Sequence, residues 1–69
     1  MKDFRFDRWL KKKLYEKDMS VSDLSRKSGI PNSTLFYLIN GSSKPTFSTF
    51  EVILDALDVH IELIDNEGE

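Results

Sequence analysis

The segment SVSDLSRKSGIPNSTLFYLING, residues 20–41, decides the fold of this chain. Ser20, with Asp23 three positions later, resembles a capping box, which predicts that a helix begins just after Ser20. Gly29 stands where a helix commonly ends in a left-handed residue, and Pro31 is tolerated at the start of a second helix. The segment therefore predicts two short helices joined by a tight turn, which is the layout of a helix-turn-helix.

Hydrophobic periodicity predicts a mainly α fold of four helices in a single domain over residues 1–69. The predicted helices span about residues 4–17, 21–27, 32–39 and 47–57. The residues that follow the helical spacing are Phe6, Trp9, Leu10, Lys13, Leu14, Val21, Leu24, Ser25, Leu35, Leu38, Ile39, Phe47, Phe50, Ile53, Leu54 and Leu57. Asn32, Ser33 and Thr34 are candidate caps of the third helix, and Thr46 is the candidate cap of the fourth.

The period of the pattern changes after Asp58. Apolar Val59, Ile61 and Leu63 alternate with polar residues, and this period of two predicts a short β-strand over about residues 59–64. The predicted fold class is therefore a four-helix domain with a short C-terminal strand.

Composition argues against several kinds of protein. The chain has no cysteine and one histidine, His60, so neither a disulfide nor a zinc site is expected to stabilise it. No apolar run approaches the roughly 18 residues of a membrane span, and no signal-peptide pattern precedes the fold. The sequence offers no nucleophile set, phosphate-binding glycine loop or metal cluster. We expect a soluble cytoplasmic protein that is not an enzyme, with no cofactor, no metal and no small-molecule substrate.

The net charge of −2 is unfavourable for contact with DNA, but the charges are unevenly distributed. Residues 1–27 carry nine basic and five acidic side chains, whereas residues 28–50 carry only Lys44. Residues 51–69 carry seven acidic side chains and no basic one. The first fifty residues can therefore face phosphate while the tail faces elsewhere. The charge pattern alone is equally compatible with a solvated surface that has no partner.

These positions together resemble the XRE family of lambda-repressor-like and Cro-like helix-turn-helix domains. The resemblance covers about residues 6–59 and rests on joint spacing rather than on any one position. The residues that carry it are Ser20, Leu24, Ser25, Gly29, Ile30, Ser33, Thr34, Leu35, Leu38, Asn40, Gly41, Pro45, Thr46, Ile53, Ala56, Leu57 and Val59. It implies a domain that binds double-stranded DNA with its third helix in the major groove.

The resemblance implies one set of contacts to DNA bases and a second set to phosphates. The base-reading set is Asn32, Ser33, Phe36 and Tyr37. The phosphate set is Ser20, Ser22, Thr34, Asn40, Ser42, Ser43 and Lys44. An Asn side chain pairs well with adenine, Ser bonds to either base type, and an apolar ring contacts the thymine methyl group. The simpler alternatives are Asn32 as a helix cap, Phe36 as a core-rim or dimer contact, and Tyr37 as an ordinary surface residue.

The chain departs from the family pattern in three ways. Val21 stands where many members carry a Gln that contacts a phosphate. Leu14 and Ile39 stand where many members pair an Arg with a Glu, so we expect an apolar contact there instead. The third helix has no Arg or Lys and therefore cannot make the strong contact of Arg with guanine. These departures predict weak affinity per subunit and a preference for A·T pairs or for DNA shape.

The predicted tail strand indicates a homodimer. One strand alone leaves its backbone groups unsatisfied, and the sequence shows no second strand. Pairing with the same strand of another subunit would use Val59, His60, Ile61, Glu62, Leu63 and Ile64. Such a ribbon resembles the tails of antitoxin-type members of the family. A two-fold dimer would place two recognition helices about 34 Å apart on a palindromic operator. The alternatives are a frayed tail, and a His60 that faces only solvent.

Three functions fit the sequence. The first is a sequence-specific transcriptional regulator of the repressor type. The second is the antitoxin of a toxin–antitoxin pair, which autoregulates its operon and contacts a toxin or another protein through the acidic tail. The third is a protein-interaction module that kept the fold and lost DNA binding, which the acidic net charge, Val21 and the uncharged third helix support.

Overall fold

A computed structural model describes residues 5–60, and within this range the chain forms four helices. Their bounds are α1 Phe6–Glu16, α2 Val21–Ser28, α3 Asn32–Asn40 and α4 Phe47–Ala56. The four predicted helices are confirmed. Of the predicted strand, Val59 and His60 are described and have no strand assigned, and residues 61–64 lie outside the described residues. No helix in the described range is long and apolar enough to cross a membrane.

Side chains cap two of the four helices at their N-termini. The Ser20 Oγ accepts a hydrogen bond from the Asp23 N–H at 3.1 Å, and the Asp23 carboxylate accepts one from the Ser20 N–H at 3.1 Å. This reciprocal pair is the predicted capping box, and it starts α2. Thr46 caps α4 in the predicted way, since its Oγ1 accepts a hydrogen bond from the Thr49 N–H at 3.2 Å.

The start of α3 differs from the prediction. Pro31, with φ −59° and ψ 147°, occupies the N-cap position, and its carbonyl accepts the first helical bond from the Leu35 N–H at 3.1 Å. Because the helix begins one residue after Pro31, Asn32 already lies inside it, and no side chain caps this end. The expectation that Asn32, Ser33 or Thr34 caps α3 is therefore wrong.

A residue in the left-handed conformation follows each of the four helices in residues 5–60. These residues are Asp18, Gly29, Gly41 and Asp58, with φ between 53° and 80°. After α1, α3 and α4 the next N–H reaches back five residues, in the Schellman pattern. The bonds run from Met19 to Leu14, from Ser42 to Tyr37 and from Val59 to Leu54, each 2.9 Å long. Met19 and Val59 then pack against the core, which fixes the direction in which the chain leaves each helix.

The core lies where α3 packs on α1 and α2, and where α2 packs on α4. It consists mainly of leucine, and its fully or nearly buried members are Leu10, Leu14, Leu24, Leu35, Leu38, Ile53 and Leu57. An aromatic cluster of Phe6, Trp9 and Phe50 joins α1 to α4, with ring centroids 5.5 to 6.5 Å apart. Leu54, also predicted on the apolar stripe of α4, is buried as well.

Phe47 was expected on the inward stripe of α4, and this expectation is wrong. The side chain is 74% exposed. Phe47 is the first residue of α4, whereas the buried residues of this helix, Ile53 and Leu54, lie in its second half. The described residues therefore leave a large aromatic ring open to solvent at this end of the helix.

The two turn glycines provide a matched test of backbone strain. Both Gly29 and Gly41 have positive φ, but a Cβ on Gly29 would meet open space, whereas a Cβ on Gly41 would lie 2.8 Å from the Asp7 Oδ2. We expect Gly29→Ala to lower the free energy of unfolding by about 1 kcal/mol through left-handed strain alone. Gly41→Ala should lower it further, because Asp7 must also move. Urea unfolding measures both values, and equal losses would contradict the proposed contact with Asp7.

The left-handed Asp18 predicts a stabilising substitution. Glycine adopts this conformation without the penalty that a Cβ brings, so Asp18→Gly should raise the free energy of unfolding by about 0.5 kcal/mol. Asp18→Val should lower it by about 1 kcal/mol or more, because a β-branched residue tolerates positive φ poorly. Thermal unfolding of the two variants checks the order, and a Val variant as stable as the Gly variant would show that Asp18 is not left-handed.

Candidate nucleic-acid interface

The turn between α2 and α3 is held by side-chain contacts as well as by Gly29. The Ser25 hydroxyl donates a hydrogen bond to the Ile30 carbonyl at 2.6 Å, and the Ile30 N–H donates one to the Ser28 Oγ at 3.1 Å. The Ile30 side chain packs against the core. These contacts fix α3 relative to α2, which is the requirement for presenting one helix face to a groove.

The outer face of α3 carries the four residues expected to read bases. Asn32, Ser33, Phe36 and Tyr37 are all exposed, and the two aromatic rings are 51% and 59% exposed. Leu35 and Leu38, on the opposite face, are buried. Among the described residues, no side-chain hydrogen bond or ion pair engages these four side chains. Their polar groups and rings are therefore available to a ligand.

The residues expected near phosphates are also at the surface. Ser20, Ser22, Thr34, Asn40, Ser42, Ser43 and Lys44 are all exposed. The N–H groups of Ser42 and Ser43 both donate to the Tyr37 carbonyl, at 2.9 and 3.3 Å. Their hydroxyls, rather than their N–H groups, therefore remain for a ligand.

The N-termini of α2 and α3 present uncapped backbone donors. In α2 the capping box engages the N–H of Asp23, while the N–H groups of Val21 and Ser22 precede the first helical bond, which Leu24 donates to Ser20. In α3 no side chain engages the first-turn N–H groups. Both ends carry the partial positive charge of the helix dipole, which favours an anion.

The expected tail residues are only partly described. Val59 is half-buried against the core, and His60 is exposed. Ile61, Glu62, Leu63 and Ile64 lie outside the described residues, so the predicted ribbon stays a prediction.

A family model described as helix-turn-helix matches residues 10–64, which is most of the chain. The chain belongs to the helix-turn-helix family of the XRE type. This is a family of DNA-binding regulators and not of catalysts. No curated protein and no solved structure matches the chain.

Two departures of this helix-turn-helix protein from its family are visible in its packing. Val21 is half-buried against the core, where it offers no polar contact to DNA. Leu14 is buried, and Ile39 packs against the same apolar cluster. Leu14 therefore lies in the core and Ile39 packs against it, as the expected apolar replacement of an ion pair requires.

Local sequence patterns did not indicate a role for Arg5. The Arg5 guanidinium forms a bidentate ion pair with the Asp7 carboxylate. The Nη2–Oδ2 distance is 2.9 Å and the Nε–Oδ1 distance is 3.2 Å. Because Asp7 lies against Gly41, this pair brings the start of α1 to the end of α3. Arg5, Ser43 and Lys44 line one cleft of about 530 Å³. The contact joins residues 34 positions apart in the chain, so no local sequence pattern could have indicated it.

The Arg5 side chain also affects the ionisation of Asp7. Burial raises the pKa of the Asp7 carboxyl, but the hydrogen bond from Arg5, a backbone hydrogen bond from Arg8 and the Arg5 charge together bring that pKa below its usual value. Asp7 is therefore ionised at neutral pH, and it partly neutralises the positive charge that Arg5 brings to the cleft.

The capping box places a second carboxylate close to the expected phosphate site. Hydrogen bonds from the Ser20 backbone and side chain lower the pKa of Asp23, and the neighbouring Arg26, with which Asp23 is paired, lowers it further against the opposing effect of burial. At neutral pH the Asp23 charge therefore stands at the N-terminus of α2. It stabilises the helix there, but it opposes a phosphate at Ser20 and Ser22.

The lowered pKa of Asp23 predicts a pH-dependent contribution to stability. A carboxyl whose pKa is lower in the folded chain stabilises the fold above its unfolded-state pKa, and this stability is lost as the pH falls through the folded-state value. Asp23→Asn should therefore be less stable than the natural chain at pH 7, and the difference should shrink as the pH falls from about 5 to about 2. Urea unfolding across this range measures the difference, and one that stays constant with pH would contradict the role of the charge.

Proposed function

We propose that the protein is a transcriptional regulator of the repressor type that binds a palindromic operator as a dimer in the cytoplasm. The observation that carries the proposal is the outer face of α3. Its four polar or aromatic residues are exposed and unengaged in the described chain, in a domain of a DNA-binding family. An exposed helix face on a rigid turn is what major-groove recognition needs.

The proposed base contacts follow from the chemistry of that face. Asn32 pairs with adenine through its amide, and Ser33 bonds to either base type. Phe36 contacts a thymine methyl group through its half-exposed ring. Tyr37 reaches a base or a phosphate with its hydroxyl. Because α3 carries no positive charge, the proposed operator is rich in A·T pairs.

No positively charged side chain of α3 is available to attract the phosphates. We assign the attraction to the hydroxyls and amides of the phosphate set, to the N-termini of α2 and α3, and to Lys44 with Arg5 beside it in the cleft. Asp23 and Asp7 reduce this attraction. Two subunits double the number of phosphate contacts, which is why the proposal includes a dimer formed through residues 59–64.

The proposal predicts that purified protein selects one A·T-rich palindromic sequence from a random DNA pool, with affinity that falls steeply as salt rises. Phe36→Ala should weaken binding to the selected DNA by about 10- to 100-fold, the usual effect of losing one good base contact. Tyr15→Ala is the matched control, because Tyr15 is an exposed aromatic residue on α1, 88% exposed. It should leave the affinity nearly unchanged.

Three other results of these binding experiments would each contradict a different part of the proposal. A G-rich consensus would overturn the proposed role of the uncharged α3 face. Absence of binding near 100 mM salt would favour a protein-interaction module instead of a regulator. Equal losses in the two aromatic variants would place the interface elsewhere on the domain.

A further inference from the structure

The start of α1 meets the end of α3 at the cleft of about 530 Å³. Ser43 and Lys44, which follow α3 and belong to the phosphate set, line this cleft. Arg5 and Asp7, at the start of α1, line it as well. None of the contacts that the family resemblance implies comes from the start of α1, so the pairing of Arg5 with Asp7 needs its own explanation.

The Asp7 carboxylate is held in place by both helices that form the cleft. Its side chain is 13% exposed. Its Oδ2 lies so close to Gly41, at the end of α3, that a Cβ there would be only 2.8 Å away. The carboxylate also accepts a backbone hydrogen bond from Arg8, in the first turn of α1. The position of Asp7 is therefore fixed without any help from Arg5.

The Arg5 side chain depends on Asp7 for its orientation. Arg5 precedes the first residue of α1, and its side chain is 53% exposed. Within residues 5–60 its side-chain hydrogen bonds go to Asp7 alone, from Nε and Nη2. Because the guanidinium is planar and rigid, this bidentate pairing fixes the orientation of the whole group. The Nη1 donors, which Asp7 does not engage, then point away from the carboxylate.

Asp7 has two opposite effects on a phosphate in this cleft. Its negative charge repels the phosphate, but its hydrogen bonds order the Arg5 guanidinium before DNA arrives. A long side chain that is already ordered loses less conformational entropy when it binds. Salt screens the repulsion and leaves the ordering unaffected. The ordering therefore outweighs the repulsion at physiological salt.

We propose that Asp7 is a positioning residue for DNA binding, which orients Arg5 so that Arg5 and Lys44 bind one phosphate of the DNA backbone together. The inference rests on the proposed function, because the phosphate belongs to the operator. Its distinctive consequence is that removing the negative charge of Asp7 from the interface weakens binding. A purely electrostatic effect of Asp7 would have the opposite sign.

Asp7→Asn tests this sign in the full-length chain. The amide has one acceptor oxygen, so it cannot accept the bidentate pair of hydrogen bonds from Arg5. We expect the affinity for the selected operator DNA to fall by about tenfold, the usual effect of losing one charge-assisted hydrogen bond. The slope of log affinity against log salt should decrease in magnitude by about one, the value of one phosphate contact.

Glu16→Gln is the matched control. It makes the same chemical change at another carboxylate of α1, one that is paired with Lys13 at 3.2 Å and does not line the cleft. It should leave both the affinity and the salt slope nearly unchanged. Urea unfolding of each variant gives its folded fraction, so that affinities are compared per folded molecule.

Arg5→Lys provides a second test that keeps the positive charge. A lysine ammonium cannot make the bidentate contact that fixes the guanidinium, so this variant should lose about as much affinity as Asp7→Asn. If both residues act through the same phosphate contact, combining the two substitutions should add little to either loss.

The other outcomes would overturn the inference. Raised affinity of Asp7→Asn would show that the charge of Asp7 dominates. Weaker binding with an unchanged salt slope would show that Asp7 only supports the fold. Additive losses in the double variant would show that Asp7 does not act through Arg5. If the natural chain binds no DNA, the proposed function fails and the inference fails with it, whereas normal binding by the natural chain with any of these results overturns the inference alone.

Discussion

The fold depends on sharp reversal of the chain after every helix of residues 5–60. Helices of eight to eleven residues expose their apolar stripes unless the next helix returns immediately. A left-handed residue at each helix end provides this return, and the apolar residue that follows it packs into the core after α1, after α2 and after α4. With no disulfide available, these four turns and the leucine cluster carry the stability that larger proteins obtain from a larger core.

Two of the four left-handed residues could be recognised from the sequence and two could not, and the residue types explain the difference. Gly29 and Gly41 are recognisable because glycine is the usual left-handed residue, so the ends of α2 and α3 could be located from the sequence. Asp18 and Asp58 were recognised only as breaks in the helical pattern. Aspartate is more often an N-cap or a turn residue than a left-handed C-terminal residue, and its conformation depends on the Met19 and Val59 contacts with the core.

Hydrophobic periodicity predicted which residues form the core, but it did not predict the exposed start of α4 or the contact of α1 with the end of α3. Leu24, Leu35 and Leu38 were predicted inward and are buried, because helical spacing determines which face a residue occupies. Phe47 follows the same spacing and is exposed, because spacing does not show where along a helix the neighbouring helices end. The Arg5–Asp7 pair against Gly41 is a tertiary contact, and such contacts are not encoded in local spacing.

The charge of Asp23 affects both the stability of α2 and the expected binding of phosphate at its N-terminus. The capping carboxylate of Asp23 favours α2 and disfavours a phosphate at the same helix end, so the residue that stabilises the motif weakens one of its expected contacts. The uncharged α3 adds no compensating charge. A single domain of this kind therefore attracts phosphate weakly. We expect the second subunit of the proposed dimer to contribute a large part of the affinity for DNA.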